Sequence, residues 1–174
     1  MCHPTLGHGQ RRDQLVQLVD IYPTVLSAMG KDLPADVKLD GVDLLPTLED
    51  DTATTREFLL AGQFGKSITI TDGNWILHQS PKSEENQPLN WYGYHLSRFM
   101  GGYDLGEYDG ISRSCQTASW PTQTWLSDKQ ADINELKNVA TEKPDELKRM
   151  QQALREKLVA CDAPSEQLER LGLN

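Results

Sequence analysis

The stretch QLVQLVDIYPTVLSAMG, residues 14–30, decides how the chain is read. It opens on an apolar run, Leu15-Val16-Gln17-Leu18-Val19, with two β-branched residues, a pattern that favours extended backbone. Asp20 follows, and its carboxylate is suited to accept the free N–H groups of a first helical turn. Pro23 falls within that turn, where its missing N–H costs nothing. Tyr22, Val25, Leu26 and Met29 then recur at helical spacing. Gly30 suits the left-handed position that ends a helix. The expectation is a strand over 14–19, an Asp20 cap, a helix over 21–29 and a glycine stop. Both halves are apolar, so other structure must cover them.

Outward from that stretch, residues 1–13 read as a polar loop, and 31–55 as connection. Asp40-Gly41 is a turn signal, and Asp43 is placed to cap a single helical turn through Leu48. Glu49-Asp50-Asp51-Thr52 is a solvated acidic loop without the alternating oxygen ligands of a calcium hand. Phe58, Leu60 and Gln63-Phe64 suggest a strand. Ser67-Ile68-Thr69-Ile70-Thr71 alternates polar and apolar with β-branched residues, Asp72-Gly73-Asn74 is a hairpin turn, and Trp75-Ile76-Leu77-His78 returns, so a hairpin is expected over 66–79. A hairpin with one apolar face needs a third strand or a helix to bury it.

Residues 81–124 are polar, rich in Gly and Tyr, and without periodicity. Long structureless segments in compact domains are often functional. The aromatics there sit beside a histidine and an arginine, which makes His95, Arg98 and Tyr103 the candidate substrate-binding residues for an anionic or sugar-like group. The competing reading is an insertion pinned to a sheet by its aromatics. A strand over 124–127 follows. A helix over 144–161 carries the stripe Leu147, Met150, Leu154, Leu158 and Cys161, with Thr141 as cap, Pro144 in the first turn and Cys161 as a buried thiol. Ser165 is expected to cap a short helix over 166–171 that stops at Gly172.

The bulk properties set limits. The 174 residues suffice for one domain, or for one domain and part of another. The net charge of -9 supplies no basic stripe, which argues against a nucleic-acid partner. No apolar run approaches the length of a membrane span. The start, Met1-Cys2-His3-Pro4, lacks a signal-peptide pattern; in a fragment this leaves a periplasmic or secreted parent open. Cys2, Cys115 and Cys161 have no metal-ligand spacing, and no metal site is expected.

Val19-Asp20-Ile21-Tyr22-Pro23-Thr24, then Gly30, then Asp40-Gly41-Val42-Asp43-Leu44-Leu45-Pro46-Thr47-Leu48, resembles the late part of a sulfatase of the arylsulfatase-like, alkaline phosphatase superfamily type. There a D-x-x-P-T helix precedes a D-G-x-S-L-L-P-x-L element. The resemblance continues at Trp125-Leu126-Ser127-Asp128 and at Asn134-Glu135-Leu136 with Asn138-Val139-Ala140, near the family's "E-x-x-N-L-A" turn. It ends at 164–173, similar to many bacterial sulfatase tails.

That resemblance implies the following. The fold is α+β: a small antiparallel sheet packed by a long C-terminal helix (56–174), preceded by the terminal strand and helix of a larger α/β catalytic domain (1–55). The parent is a sulfate-ester hydrolase using a divalent metal, calcium, and a formylglycine nucleophile. The chain itself carries no catalytic residues and is expected to be inactive alone. Cys2-His3-Pro4-Thr5-Leu6 is not the C-x-P-[ST]-R signature, because Leu6 stands in the place of its arginine. The implied partners are the parent's N-terminal catalytic domain and, through it, a sulfated small molecule or glycan. Self-association through 14–30 is expected where that segment stays uncovered. The alternatives are part of a phosphonate or phosphodiester hydrolase, which shares the architecture, and a free-standing α+β interaction module.

Overall fold

The computed structural model describes residues 9–33, 39–62, 67–84 and 123–174. The chain divides into two compact units, Met1–Leu59 and Leu60–Asn174.

In the first unit, a 3-10 turn over Leu18–Asp20 leads directly into helix α1, Ile21–Ala28. The strand expected over 14–19 is not formed. That segment is held by irregular bonds instead: the Gln14 amide donates to the carbonyls of Asp51 (2.8 Å) and Ala53 (3.1 Å), and the Thr55 hydroxyl to that of Leu15 (2.5 Å). β-branched composition favours a strand only where a neighbour accepts its ladder bonds.

The α1 stop is as expected. Gly30 has φ +63°, its N–H bonds to the Ser27 carbonyl (2.9 Å), and the Lys31 N–H bonds to that of Leu26 (2.9 Å), a Schellman close. The expected apolar stripe of α1, however, is its outer face. Pro23 and Thr24 are buried, whereas Tyr22, Val25 and Met29 are 51%, 47% and 64% exposed. Helix α2, Leu45–Glu49, has Pro46 in its first turn and the Asp43 carboxylate accepting the Leu45 N–H at 2.9 Å.

In the second unit, strands β1 (Leu59–Gly62), β2 (Ile68–Thr71), β3 (Trp75–Gln79) and β4 (Trp125–Asp128) form one sheet in the order β1-β2-β3-β4. β2/β3 and β3/β4 are antiparallel. Gly73 has φ +91° at the first central position of the hairpin turn, where an L side chain would be strained, and the Asp72 carboxylate accepts the N–H groups of Asn74 (2.9 Å) and Trp75 (2.8 Å).

Register aligns Ile70, Leu77 and Leu126 in one cross-strand row, all fully buried. Helix α3, Pro144–Ala160, lies against β2 and β3 and buries Met150, Ala153, Leu154 and Leu158. Gln79 marks the same sheet face: its amide oxygen accepts from Gln151 of α3 (2.9 Å), and its NH₂ donates to the Leu171 carbonyl (2.9 Å). The last helix, α4 (Ser165–Leu171), ends at Gly172, φ +68°.

Three expectations about α3 and α4 are corrected. Thr141 does not cap α3, whose N-cap position is Lys143; Pro144 at the first helical position already removes one free N–H. Ser165 is inside α4, after Pro164 at the cap position. Cys161 is exposed, because the stripe leaves the core where α3 ends.

Candidate functional site

His95, Arg98 and Tyr103 lie outside the described residues, as does Cys2. Among the described residues, two polar constellations stand out.

The first is centred on Asp20, which is completely buried. It sits at the α1 cap position but caps nothing there, contrary to expectation. One carboxylate oxygen accepts the Gln17 N–H (2.7 Å), the other the Val42 N–H (3.0 Å), and the Arg56 guanidinium straddles both. Burial pushes its pKa upward; the Arg56 bonds and the two amides outweigh this and hold it below the usual carboxylate range.

Beside it, the Thr24 hydroxyl donates to the Asp20 carbonyl (2.6 Å) and accepts the Leu44 N–H (3.0 Å). A Cβ on Gly41 would lie 2.1 Å from the Val19 carbonyl oxygen, so only glycine permits this approach. Asp20, Thr24 and Gly41 thus staple α1 to the segment that follows it. Both Asp20 oxygens already receive N–H donors, and this is a structural hub rather than a metal ligand. No group of three or more His, Cys, Asp or Glu among the described residues could hold a metal.

The second lies on the sheet face opposite α3. Register sets Thr69 opposite His78, and His78 opposite Trp125, one row with side chains on a common face. His78 Nδ1 lies 2.8 Å from the Thr69 hydroxyl, and Nε2 lies 2.9 Å from a Glu135 carboxylate oxygen. The indole N–H of Trp125 donates to the buried Ser127 hydroxyl (2.9 Å), which fixes the ring. The side chains of His78 and Glu135 keep 36% and 33% exposure.

Glu135 reaches His78 from a left-handed backbone, φ +56°. A non-glycine residue there costs about 1–3 kcal/mol. A contact about a third exposed at both ends contributes roughly 0–1 kcal/mol and does not offset that alone. The turn imposes the conformation: the Asp132 carbonyl accepts the Glu135 N–H (3.1 Å) and its carboxylate the Lys137 N–H (2.7 Å). Asn138 then pairs with the outer edge of β4, accepting the Leu126 N–H (3.1 Å) and donating to the Thr124 carbonyl (3.0 Å).

Sequence reasoning missed the role of His78, although the 72–74 turn does set Thr69 opposite it. Nothing local in the sequence marks Glu135 as its partner.

Arg149 also joins the hairpin to α3. Arg149 bonds Asp72 (2.5 Å) and Glu146 (2.6 Å). Burial opposes ionisation of Asp72, but the Trp75 amide, Arg149 and the Asn74 amide together hold its pKa below the ordinary value.

No protein-family model matches the chain. An uncharacterized sulfatase of Escherichia coli K12, YdeN, is 30% identical over 176 residues, covering 93% of this chain and 29% of that protein. Arylsulfatase K of Xenopus laevis is 28% identical, covering 87% of this chain and 24% of the relative. Arylsulfatase K of Rattus norvegicus is 30% identical, covering 89% and 23% respectively. The chain therefore spans less than a third of the length of these relatives.

Among solved structures, a glycosaminoglycan-metabolism 4S-sulf protein of Bacteroides thetaiotaomicron superposes with TM-score 0.60 at 16% identity, over 97% of this chain and 32% of that one. A protein solved with its substrate D-glucosamine-2-N,6-O-disulfate gives TM-score 0.51 at 17% identity, over 84% of this chain and 24% of that one. At these identities the likeness is one of fold.

Proposed function

The chain corresponds to a C-terminal portion of a sulfatase, and from that premise we propose that it serves a sulfate-ester hydrolase as a brace and a border of the substrate entrance. The observation that carries this reading is the sequence match along 93% of the chain to a sulfatase more than three times as long. A belt of uncovered apolar side chains supports the bracing role: Leu18 is 85% exposed, and Val19, Ile21, Tyr22, Val25 and Met29 are 47–64% exposed. Single exposed apolar residues are ordinary, but six within twelve positions mark a contact surface. The region 1–55 is then the closing edge of the parent's catalytic α/β domain, and 56–174 a smaller subdomain.

Calcium and the formylglycine nucleophile belong to the parent in this reading. Among the described residues no three or more of His, Cys, Asp or Glu group to hold an ion. The chain's own contribution is placement. His95, Arg98 and Tyr103 are proposed to contact the part of an anionic or sugar-like substrate remote from the ester. A parent acting on a sulfated small molecule or glycan fits this; the substrate named for the second solved structure is of that class.

Two results are expected. The purified chain has no activity on an aryl sulfate. In the full-length parent, Arg98→Ala raises KM for an extended sulfated saccharide more than for a small aryl sulfate. Equal changes for both substrates would return residues 81–124 to a packing role, and aryl-sulfate hydrolysis by the chain alone would overturn the brace.

A further inference from the structure

The last turn of α4 grips the chain where it leaves β3. A helix ends on four carbonyls that have no partner within it. In α4 all four are bonded. The Leu173 N–H takes the Leu168 carbonyl (2.9 Å), and the Gly172 N–H that of Glu169 (3.1 Å). The other two go to the exit of β3: the Lys82 N–H donates to the Arg170 carbonyl (2.8 Å), and the Gln79 amide to that of Leu171 (2.9 Å). Beside them the Lys82 ammonium pairs with Glu169 (3.3 Å), and a Cβ on Gly172 would lie 3.5 Å from that of Lys82. Pro81, within the gripped stretch, is fully buried. The Arg170 side chain is buried as well, with its Nε on Gln167 (3.1 Å), so the gripping turn is itself held. On the return side the Ser80 hydroxyl donates to the Gln123 carbonyl (3.0 Å). β3 and β4 are antiparallel neighbours with His78 opposite Trp125, so the chain leaves and returns at one root.

We propose that this root is a positioning device: Ser80, Lys82 and the 169–171 turn of α4 fix where residues 83–122 start and end, and thereby place His95, Arg98 and Tyr103 for substrate. The second half rests on the substrate-contact reading of those three residues, and the first does not. Freed residues must be ordered again each time a ligand binds, at a cost in conformational entropy. A fixed root removes part of that cost for every contact beyond it. Its effect therefore falls on substrate affinity and not on the chemical step. An α4 that only sealed the sheet, through the buried Leu171 and Leu173, would have no bearing on affinity.

The test begins with limited proteolysis of the full 174-residue chain under native conditions. Ser80→Ala removes the link between the two ends, and Lys82→Pro removes the N–H that bonds the Arg170 carbonyl. Each should speed cleavage within 83–122 about fivefold, the factor for one lost hydrogen bond, beyond any change in global unfolding. Lys82→Ala keeps that N–H and loses only an exposed ion pair, so it should stay within about twofold of the wild type. In the full-length parent, Ser80→Ala and Lys82→Pro should raise KM for an extended sulfated saccharide by a similar factor and leave kcat for a small aryl sulfate unchanged. Cleavage that follows global unfolding alone would overturn the root. A KM unmoved by both substitutions, where Arg98→Ala raises it, would overturn the positioning. A KM unmoved by Arg98→Ala as well would overturn the substrate-contact reading, and the positioning half with it.

Discussion

Asp20 shows how much one residue can hold. It is fully buried, yet it is ionised, because Arg56 and two backbone amides replace the water it lost. Removing one partner of such a pair leaves an uncompensated buried charge, so Arg56→Ala should cost about 3–5 kcal/mol in denaturant unfolding. The pKa of Asp20 is lowered in the folded chain. Its contribution is therefore fully present above the unfolded carboxylate value of about 3.9, and is lost as pH falls through the folded value. Asp20→Asn should lower stability at neutral pH and flatten the acid limb below about pH 4. An unchanged acid limb would mean that other carboxylates govern acid unfolding.

Among the elements, α3 carries the core of the second unit. Met150 and Leu154 are fully buried, as are Ile70, Leu77 and Leu126 on the sheet. Leu154→Ala should cost about 2–5 kcal/mol, the loss of a buried isobutyl group plus the cavity it leaves. A loss below about 1 kcal/mol would show that the helix does not seal the sheet. This element was legible in the sequence because its period is long and unbroken, and the hairpin because Asp72-Gly73-Asn74 interrupts a clear alternation. The strand expected over 14–19 failed because four apolar residues do not state which neighbour will pair with them. Cap assignments at Asp20, Thr141 and Ser165 failed for a related reason: a side-chain oxygen has several competing donors, and packing chooses among them.

For the whole molecule, the exposed belt from Leu18 to Met29 has a measurable consequence. Light scattering of the purified chain should report self-association, since uncovered apolar side chains seek other surfaces. Val25→Lys with Met29→Lys should shift the population toward monomer without changing the far-UV spectrum. A wild-type chain that is monomeric at every accessible concentration would remove the belt's role as a contact surface.

The sequence by itself determined the family likeness, the hairpin, the long helix and both glycine stops, because each rests on local periodicity or on a backbone conformation only glycine favours. Asp20 and Thr24 bond the Val42 and Leu44 amides where Gly41 lets that segment approach Val19, and Asn138 completes the edge of β4. Only the tertiary structure decided which face of α1 is outermost, that Cys161 is exposed, and that Glu135 meets His78 across 57 positions of chain. Those outcomes depend on which surfaces approach one another, and hydrophobic burial is non-directional: it dictates that an apolar face be covered, but not by what.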